Sequence, residues 1–332
     1  MRKKKFDVKK ILTDSRETSL FIVLILLCTF IQIKNSLFLS YGNIKDLTEN
    51  TAMMSILAIG MMCVLLIGGI DISIGSTIAL SGMATALIMK NNPGTPTILG
   101  FLISIGVGLF CGALIGIVIA KGKVIPMIAT MGFMYIFRGA AYLIANNQWV
   151  SAYQIPKGFK AFSLGKIFGI NNMIVVAIVC YIAFAVFIKY TRTGREIYEV
   201  GSNPEAAEIS GTNITQIKIL VYSLMGALCG LVGGLWVSKY ASAQGGAATG
   251  MEMNIIAACV IGGTSLNGGK GTALGVLLGS LTLGILNNAL PLINVSSFWQ
   301  NAIKGLIIIL AVIINTVTQR TIDKNNLKRR EM

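Results

Sequence analysis

The chain has 332 residues, of which 54% are hydrophobic and only 12% are charged, and its mean hydropathy is +0.75. Because an average soluble domain is about 25% charged, this composition is typical of a membrane protein with many spans, and it leaves no room for a soluble catalytic domain. Histidine is absent, which excludes His-based catalysis and His metal sites. The net charge of +15 does not indicate a nucleic-acid partner, since Lys and Arg cluster at the ends of apolar runs.

The apolar runs predict an all-α polytopic membrane bundle that binds no cofactor. At about 20 residues per span, we expect about ten transmembrane helices in residues 19–318. A basic N-terminal segment, residues 1–18, precedes them, and a basic tail, residues 319–332, follows. In this arrangement nineteen of the 28 Lys and Arg residues lie on the side of the termini, and seven lie on the other side. The positive-inside rule therefore predicts that both termini are cytoplasmic.

The segment Gly68–Ser76 interrupts apolar sequence with a carboxylate, Asp71. A charged group at membrane depth is costly unless it is capped, paired or hydrated. Asp71 and Ser73 can accept backbone N–H bonds at the start of the third span, which favours a helix cap at the cytoplasmic edge. The alternative is an element of a transport pathway or a contact with a partner subunit.

Glycines recur at helical spacing in three stretches of the chain. Small residues on one helix face let two helices approach closely in a membrane, so these rows predict dense helix packing rather than a ligand site. The rows are Gly108/Gly112/Gly116, Gly226/Gly230/Gly234 and Gly271/Gly275/Gly279.

Two cations, Arg138 and Lys304, fall inside predicted spans. Charged residues within a membrane are candidates for functional sites. Long basic side chains can also extend to the membrane interface and have no such role, so both interpretations stay open for each residue.

The longest polar segment between two membrane-length apolar runs is 191–216. It predicts a loop that contains one short helix, with Asn203 as the N-cap, Pro204 at the first position, Glu205 in the first turn and Gly211 at the end. About two turns of helix are too short to be stable alone in water. The segment is therefore either a docking element for another protein or an ordinary surface helix.

A glycine-rich stretch, Gly262–Gly271, invites comparison with a nucleotide-binding loop but does not meet its requirements. The position that must hold the first glycine of that loop is Thr264, and Lys270 is followed by Gly271 instead of Ser or Thr. The segment instead predicts a re-entrant break in the bundle, tolerated because neighbouring helices cover its backbone. We take Gly262, Gly263 and Lys270 as candidates for this break.

Three separated motifs resemble those of permeases of ATP-binding-cassette importers, in the branch that carries ribose and related monosaccharides. They are Gly69–Ser76 (GIDISIGS), Ile261–Gly271 (IGGTSLNGGKG, preceded by Glu252), and the polar segment with Gly194-Arg195, Gly201, Asn203, Glu205-Ala206-Ala207, Ser210-Gly211 and Lys218. The resemblance implies a type II, vitamin B12 permease-like fold in a bacterial plasma membrane.

The same resemblance implies three protein partners: an ATPase subunit, an extracytoplasmic sugar-binding protein and a second permease copy. It also implies that the polar segment is the loop that docks in the ATPase. The residues expected to couple the two subunits are Gly201, Asn203, Pro204, Glu205, Ala206, Ala207, Glu208, Ser210 and Gly211. Asn287 and Asn288, in the ninth span, can either bind sugar hydroxyls or hold helices together.

Three stretches, KGKVIPMIAT, IGGTSLNGGKG and NVSSFWQ, most resemble ribose permeases, and this resemblance implies ribose as the solute. Xylose, galactose, other furanoses and a furanosyl signal compound stay open. An ion-coupled secondary transporter is the alternative function. It requires buried acidic or His relays near the middle of the membrane, for which the sequence offers only Asp71. An intramembrane enzyme is disfavoured because the spans lack His and paired carboxylates.

Overall fold

The computed structural model describes residues 16–296, 298–300, 302–303, 305–307, 309–310 and 313. This part of the chain is all-α, with twelve helices between residues 16 and 292, one 3₁₀ turn and one short antiparallel β-ribbon. The basic segment before Arg16, Lys304 and the basic tail lie outside the described residues.

The helices follow one another with short connections. The first six are α1 (Arg16–Lys34), α2 (Tyr41–Leu66), α3 (Ile74–Asn91), α4 (Thr97–Ala120), α5 (Pro126–Ile144) and α6 (Lys157–Leu164). The 3₁₀ turn is Ala152–Gln154, and the ribbon is β1 (Lys166–Ile167) with β2 (Ile170–Asn171). The last six are α7 (Asn172–Tyr190), α8 (Arg192–Ser202), α9 (Pro204–Ile209), α10 (Ile214–Tyr240), α11 (Met251–Ile261) and α12 (Ala273–Leu292).

The predicted number of about ten transmembrane helices is wrong. Within the described residues, six helices are long and apolar enough to cross a membrane, namely α2, α4, α5, α7, α10 and α12. An apolar run in the sequence is therefore not always a spanning helix. The 11 residues of α11 measure about 16 Å, about half the thickness of a bilayer core. The 18 residues of α3 include polar Ser and Thr positions and end in Lys90-Asn91.

Helix α2 forms the centre of the bundle. Its 18-residue apolar window is 94% buried, whereas the corresponding windows of α5 and α7 are 22% and 17% buried. Helices with such exposed apolar sides are suited to contact lipid, because lipid tails are as apolar as the side chains.

Polar contacts identify two ends of the bundle. At one end, which we call the α9 end, the Thr272 hydroxyl that precedes α12 donates to Glu17 of α1 (3.0 Å). At the opposite, α6 end, the Asn35 amide after α1 donates to the carbonyl of Leu292 at the end of α12 (2.6 Å). A β-bridge between Val150 and Ala243 also lies at the α6 end.

The first two glycine rows pack helices together, as predicted, whereas Gly271 of the third row lies in the loop before α12. A Cβ at Gly108 would overlap the backbone of Gly226 and Gly230, which joins α4 to α10. The Ser104 hydroxyl donates to the Gly230 carbonyl across the same seam (2.6 Å). The third row joins α12 to α11, since Gly279 faces the backbone of Ala258. Only glycine permits backbones to approach so closely.

Candidate coupling and transport site

A short helix, α9, forms at the predicted position in the polar segment. The Asn203 side chain accepts from the Ala206 amide (3.1 Å), and Pro204 occupies the first helical position. Gly211, at φ +88°, ends the helix, and the Thr212 amide then donates to the Ala207 carbonyl (3.0 Å). These are the cap, the first residue and the stop that the sequence predicts.

The polar segment is more ordered than a loop with one helix, because α8 precedes α9. The Thr191 hydroxyl caps α8 by accepting from the Gly194 amide (3.0 Å). Ile197 and Val200 are 0% and 1% exposed, so α8 lies on the bundle with its apolar side inward. The sequence prediction missed this helix because its two buried residues are isolated among charged ones.

We call Asn203–Gly211 the knob, because most of its surface is exposed. Ala207 is the exception at 3% exposure, and it anchors α9 to the bundle. The sequence prediction did not include Ile209, which is 88% exposed although large and apolar. The only feature of the sequence that could have predicted this exposed apolar side chain is the position of an isoleucine between Glu208 and Ser210 in a polar run. The predicted coupling residues exposed on the knob are Asn203, Pro204, Glu205, Ala206, Glu208, Ser210 and Gly211.

The three sequence motifs meet beneath the knob. Gly201, in the last turn of α8, lies so close to the end of α2 that a Cβ would overlap the Leu66 carbonyl and approach the Gly269 amide to 2.7 Å. The Gly269 amide itself donates to the Leu66 carbonyl (2.9 Å). Gly201 is therefore a packing position under the knob, in contact with the break after α2 and with the glycine-rich stretch.

A half-buried tyrosine adds to this junction. The Tyr198 hydroxyl of α8 donates to the carbonyl of Gly271 (2.8 Å). Burial raises the pKa of Tyr198, which keeps the hydroxyl protonated and able to donate. Helix α8, which leads into the knob, is thus attached to the glycine-rich stretch by main-chain contact and by one side-chain bond.

The stretch Gly262–Thr272, which we call the glycine loop, joins α11 to α12. Gly262 packs against the backbone of Gly275, and Gly263 adopts φ +94° where α11 ends. The loop is closed by a bond from the Ser265 amide to the Lys270 carbonyl (2.8 Å), and the Lys270 side chain is exposed. The glycines of this loop are therefore needed where two backbones approach closely and where the backbone adopts a positive φ.

The predicted helix cap does not form, since no side chain caps the start of α3, and Asp71 does not lie at the edge of the bundle. It is 2% exposed, and its Oδ1 accepts from the Ser73 amide (2.8 Å) and the Ser73 hydroxyl (2.6 Å). Ser73 makes no capping bond of its own. The carbonyl of Ile70 accepts from Tyr222, which lies in the third turn of α10 (3.4 Å). The segment between α2 and α3 therefore enters the bundle, because its polar groups are satisfied there by neighbouring helices.

The start of α3 meets the start of α11 inside the bundle. A Cβ at Gly75 would lie 2.8 Å from a carboxylate oxygen of Glu252, which is 9% exposed. Arg138 donates to the carbonyls of Gly245 and Ala247 (both 2.7 Å) and so fixes the chain that leads into α11. The sequence prediction did not weigh Glu252 as a buried carboxylate, because its depth follows from the fold and not from the local apolar pattern.

The two adjacent asparagines of α12 have different surroundings. Asn288 exchanges amide hydrogen bonds with Asn43 of α2 (2.8 and 3.0 Å). Asn287 lines two neighbouring cavities of about 490 and 250 Å³ at the α6 end. Asn288 therefore links two helices, and Asn287 faces an open space.

Comparison with known proteins gives consistent relatives over nearly the whole chain. Residues 43–312 match a family described as "Branched-chain amino acid transport system / permease component". The ribose import permease protein RbsC of Escherichia coli K12 is 36% identical over 305 residues, or 91% of this chain and 94% of that protein. The same-named protein of Bacillus subtilis 168 is 37% identical over 295 residues, 89% and 91%.

A permease for another sugar also matches. The L-arabinose transport system permease protein AraH of Escherichia coli K12 is 33% identical over 283 residues, 85% of each chain. No solved structure matches the chain significantly, so the expected type II, vitamin B12 permease-like fold has no support. The matched residues include the knob, the glycine loop and the cavities at the α6 end. The chain therefore belongs to the permease family of ATP-binding-cassette importers.

Proposed function

We propose that this chain is the membrane permease of an ATP-driven importer that carries a monosaccharide, with ribose as the first solute to test. The observation that carries the proposal is the 36% identity to a ribose import permease over 91% of the chain. The L-arabinose permease is 33% identical over a smaller share, so a related pentose is the second solute to test.

A separate ATPase subunit drives the transport and docks on the knob. The exposed polar surface of α9 and its cap at Asn203 support this role, as does the exposed Ile209. Because Gly201 and the Gly269 amide contact the end of α2 directly, movement of the knob is transmitted to the break between α2 and α3. A bundle with two packings then changes which side is open.

The complete importer contains two permease copies, two ATPase subunits and a sugar-binding protein on the opposite side of a bacterial plasma membrane. The knob faces the cytoplasm, as do both chain termini. In keeping with this, Glu17 near the start of α1 bonds to Thr272 at the α9 end. Residues 19–318 form the transmembrane domain, and residues 1–18 and 319–332 are its basic cytoplasmic flanks.

The substitution Glu205→Lys tests the role of the knob. It places a positive charge at the first turn of α9, where the helix dipole favours a negative one, and reverses the charge shown to the ATPase. We expect ribose uptake in ATP-loaded right-side-out vesicles, with all subunits present, to fall at least tenfold, which is about 1.4 kcal/mol. The amount of inserted permease should not change.

The matched control is Lys121→Glu, an equal and opposite charge change on an exposed residue just after α4, outside the knob. It should leave uptake within twofold of the unmodified importer. Uptake by Glu205→Lys at the unmodified rate would refute docking at the knob. Loss of wild-type uptake as soon as an uncoupler is added, with ATP still present, would favour the ion-coupled alternative.

A further inference from the structure

The two cavities at the α6 end lie next to each other. The larger, of about 490 Å³, lies between the first turns of α2 and the last turns of α12. The smaller, of about 250 Å³, extends toward the start of α11. They share Asn50, Met54, Tyr240 and Asn287 in their linings. A solute entering at this end therefore approaches the place where α11 begins.

Two polar atoms in the lining lack hydrogen-bond partners among the described residues. They are the buried Oδ1 of Asn287 and the Oγ1 of Thr51, whose residue is 4% exposed. Gly284 of α12 faces the Thr51 hydroxyl, where any Cβ would overlap it. Buried polar groups are nearly always satisfied, so these two atoms are the groups of the wall that are left for a solute to satisfy.

The rest of the wall suits a neutral polyol. Trp236 and Tyr240 pack together with ring centroids 4.6 Å apart, and both line the smaller cavity, where they offer an apolar face with polar tips. The Asn50 side-chain oxygen accepts from Lys239 (2.9 Å), which leaves its amide hydrogens for another acceptor. The charge of Lys239 is balanced by Glu49 at 3.4 Å.

We propose that Asn287 and Thr51, with Asn50 and the Trp236–Tyr240 pair, form a contact site for the hydroxyl groups of a monosaccharide in transit. The proposal rests on the proposed function and names the place where the sugar passes through this chain. Asn288 is not part of the site, because both polar ends of its amide are engaged by Asn43. Of these two adjacent asparagines, Asn287 is therefore assigned to transport and Asn288 to helix packing.

The test compares Asn287→Leu with Asn288→Leu in the complete importer. Leucine has the same branched arrangement of four side-chain heavy atoms as asparagine, with larger terminal groups, but cannot form hydrogen bonds. We expect Asn287→Leu to reduce ribose uptake per inserted permease at least tenfold without lowering the thermal unfolding midpoint in detergent, because its buried oxygen has no protein partner to lose. Asn288→Leu should lower the midpoint by several degrees and keep uptake per folded permease within twofold.

A second variant protects the test against misfolding. Thr51→Val removes only the unpaired hydroxyl and should also reduce uptake severalfold at an unchanged midpoint. ATPase activity stimulated by the sugar-loaded binding protein should persist in both site variants, since the knob is intact. If the unmodified importer carries ribose and both Asn287→Leu and Thr51→Val import it at the same rate, the contact site is refuted and the proposed function is not. A wild type that imports no pentose would overturn the proposed function, and the site with it.

Discussion

The junction beneath the knob, at the α9 end, and the surroundings of the cavities at the α6 end are held together by different kinds of contact. Beneath the knob, backbone lies directly on backbone, since Gly201 faces the Leu66 carbonyl and the Gly269 amide. Around the cavities, side chains make the contacts, through the Asn43–Asn288 amide pair and the Glu49–Lys239 ion pair.

This difference fits what each end is proposed to do. Main-chain contacts leave little freedom for one segment to move without the other, which suits a junction that transmits movement. Side-chain contacts can be broken and remade around an open space, which suits a site that a solute enters and leaves. Substitutions at the two ends should therefore differ in whether they affect folding or activity.

The largest effect is expected for Gly201→Val. The new side chain would overlap the main chain at Leu66 and Gly269, and neither backbone can rotate away as a side chain would. We expect destabilisation of about 3 kcal/mol, at the upper end for an overpacked core, measured as a lower thermal unfolding midpoint and a smaller folded fraction after extraction.

Gly42→Val is the matched control at the α6 end. A Cβ at Gly42, in the first turn of α2, would meet no atom within 4 Å. Valine also has a slightly better helix propensity than glycine, so the unfolding midpoint should stay the same or rise. If Gly201→Val and Gly42→Val behaved alike, the main-chain junction would not distinguish the two ends.

The sequence predicted those elements that depend on local chemistry. The cap at Asn203, Pro204 at the first position and Gly211 at the stop define α9 from neighbouring residues alone. The glycine rows likewise predicted close packing, because the spacing of small residues defines a helix face. In each case the residues that determine the feature lie within a few positions of one another in the sequence.

Features that depend on the fold could not be predicted in this way. The depth of Asp71 depends on where Tyr222 and the other neighbours of its loop lie, and the local pattern placed it at the edge. The count of spanning helices was wrong because apolar α11 is as hydrophobic as a span but too short. The opposite roles of Asn287 and Asn288 depend on the packing of α12 against α2.

A smaller effect on binding, with none on folding, is expected for Ile209→Asn. The side chain is 88% exposed, so its replacement costs the isolated permease little. In the proposed docking, burial of an isoleucine against the ATPase would stabilise the complex by about 1.5–3 kcal/mol. Its loss should weaken ATPase association about tenfold or more, measured by titration of the ATPase onto the purified permease.

Leu164→Asn serves as the control for that substitution, because Leu164 is 70% exposed at the α6 end. It should leave ATPase association unchanged. Equal weakening by both variants would mean that detergent or aggregation, not the knob, determines the measured affinity.

The smallest effect is expected for Tyr198→Phe, which removes the hydroxyl that donates to Gly271. A lost hydrogen bond of this kind costs about 1 kcal/mol, seen as a modest fall in the unfolding midpoint. Since burial raises the pKa of Tyr198 above that of an exposed tyrosine, the bond contributes fully below the unfolded pKa of about 10. The difference in unfolding midpoint between variant and wild type should therefore be constant from about pH 6 to 9.

Tyr135→Phe is the control, at a 70% exposed position, and it should not change the unfolding midpoint. A loss for Tyr198→Phe that grew as the pH rose through this window would mean that the phenolate, not the hydroxyl, makes the contact.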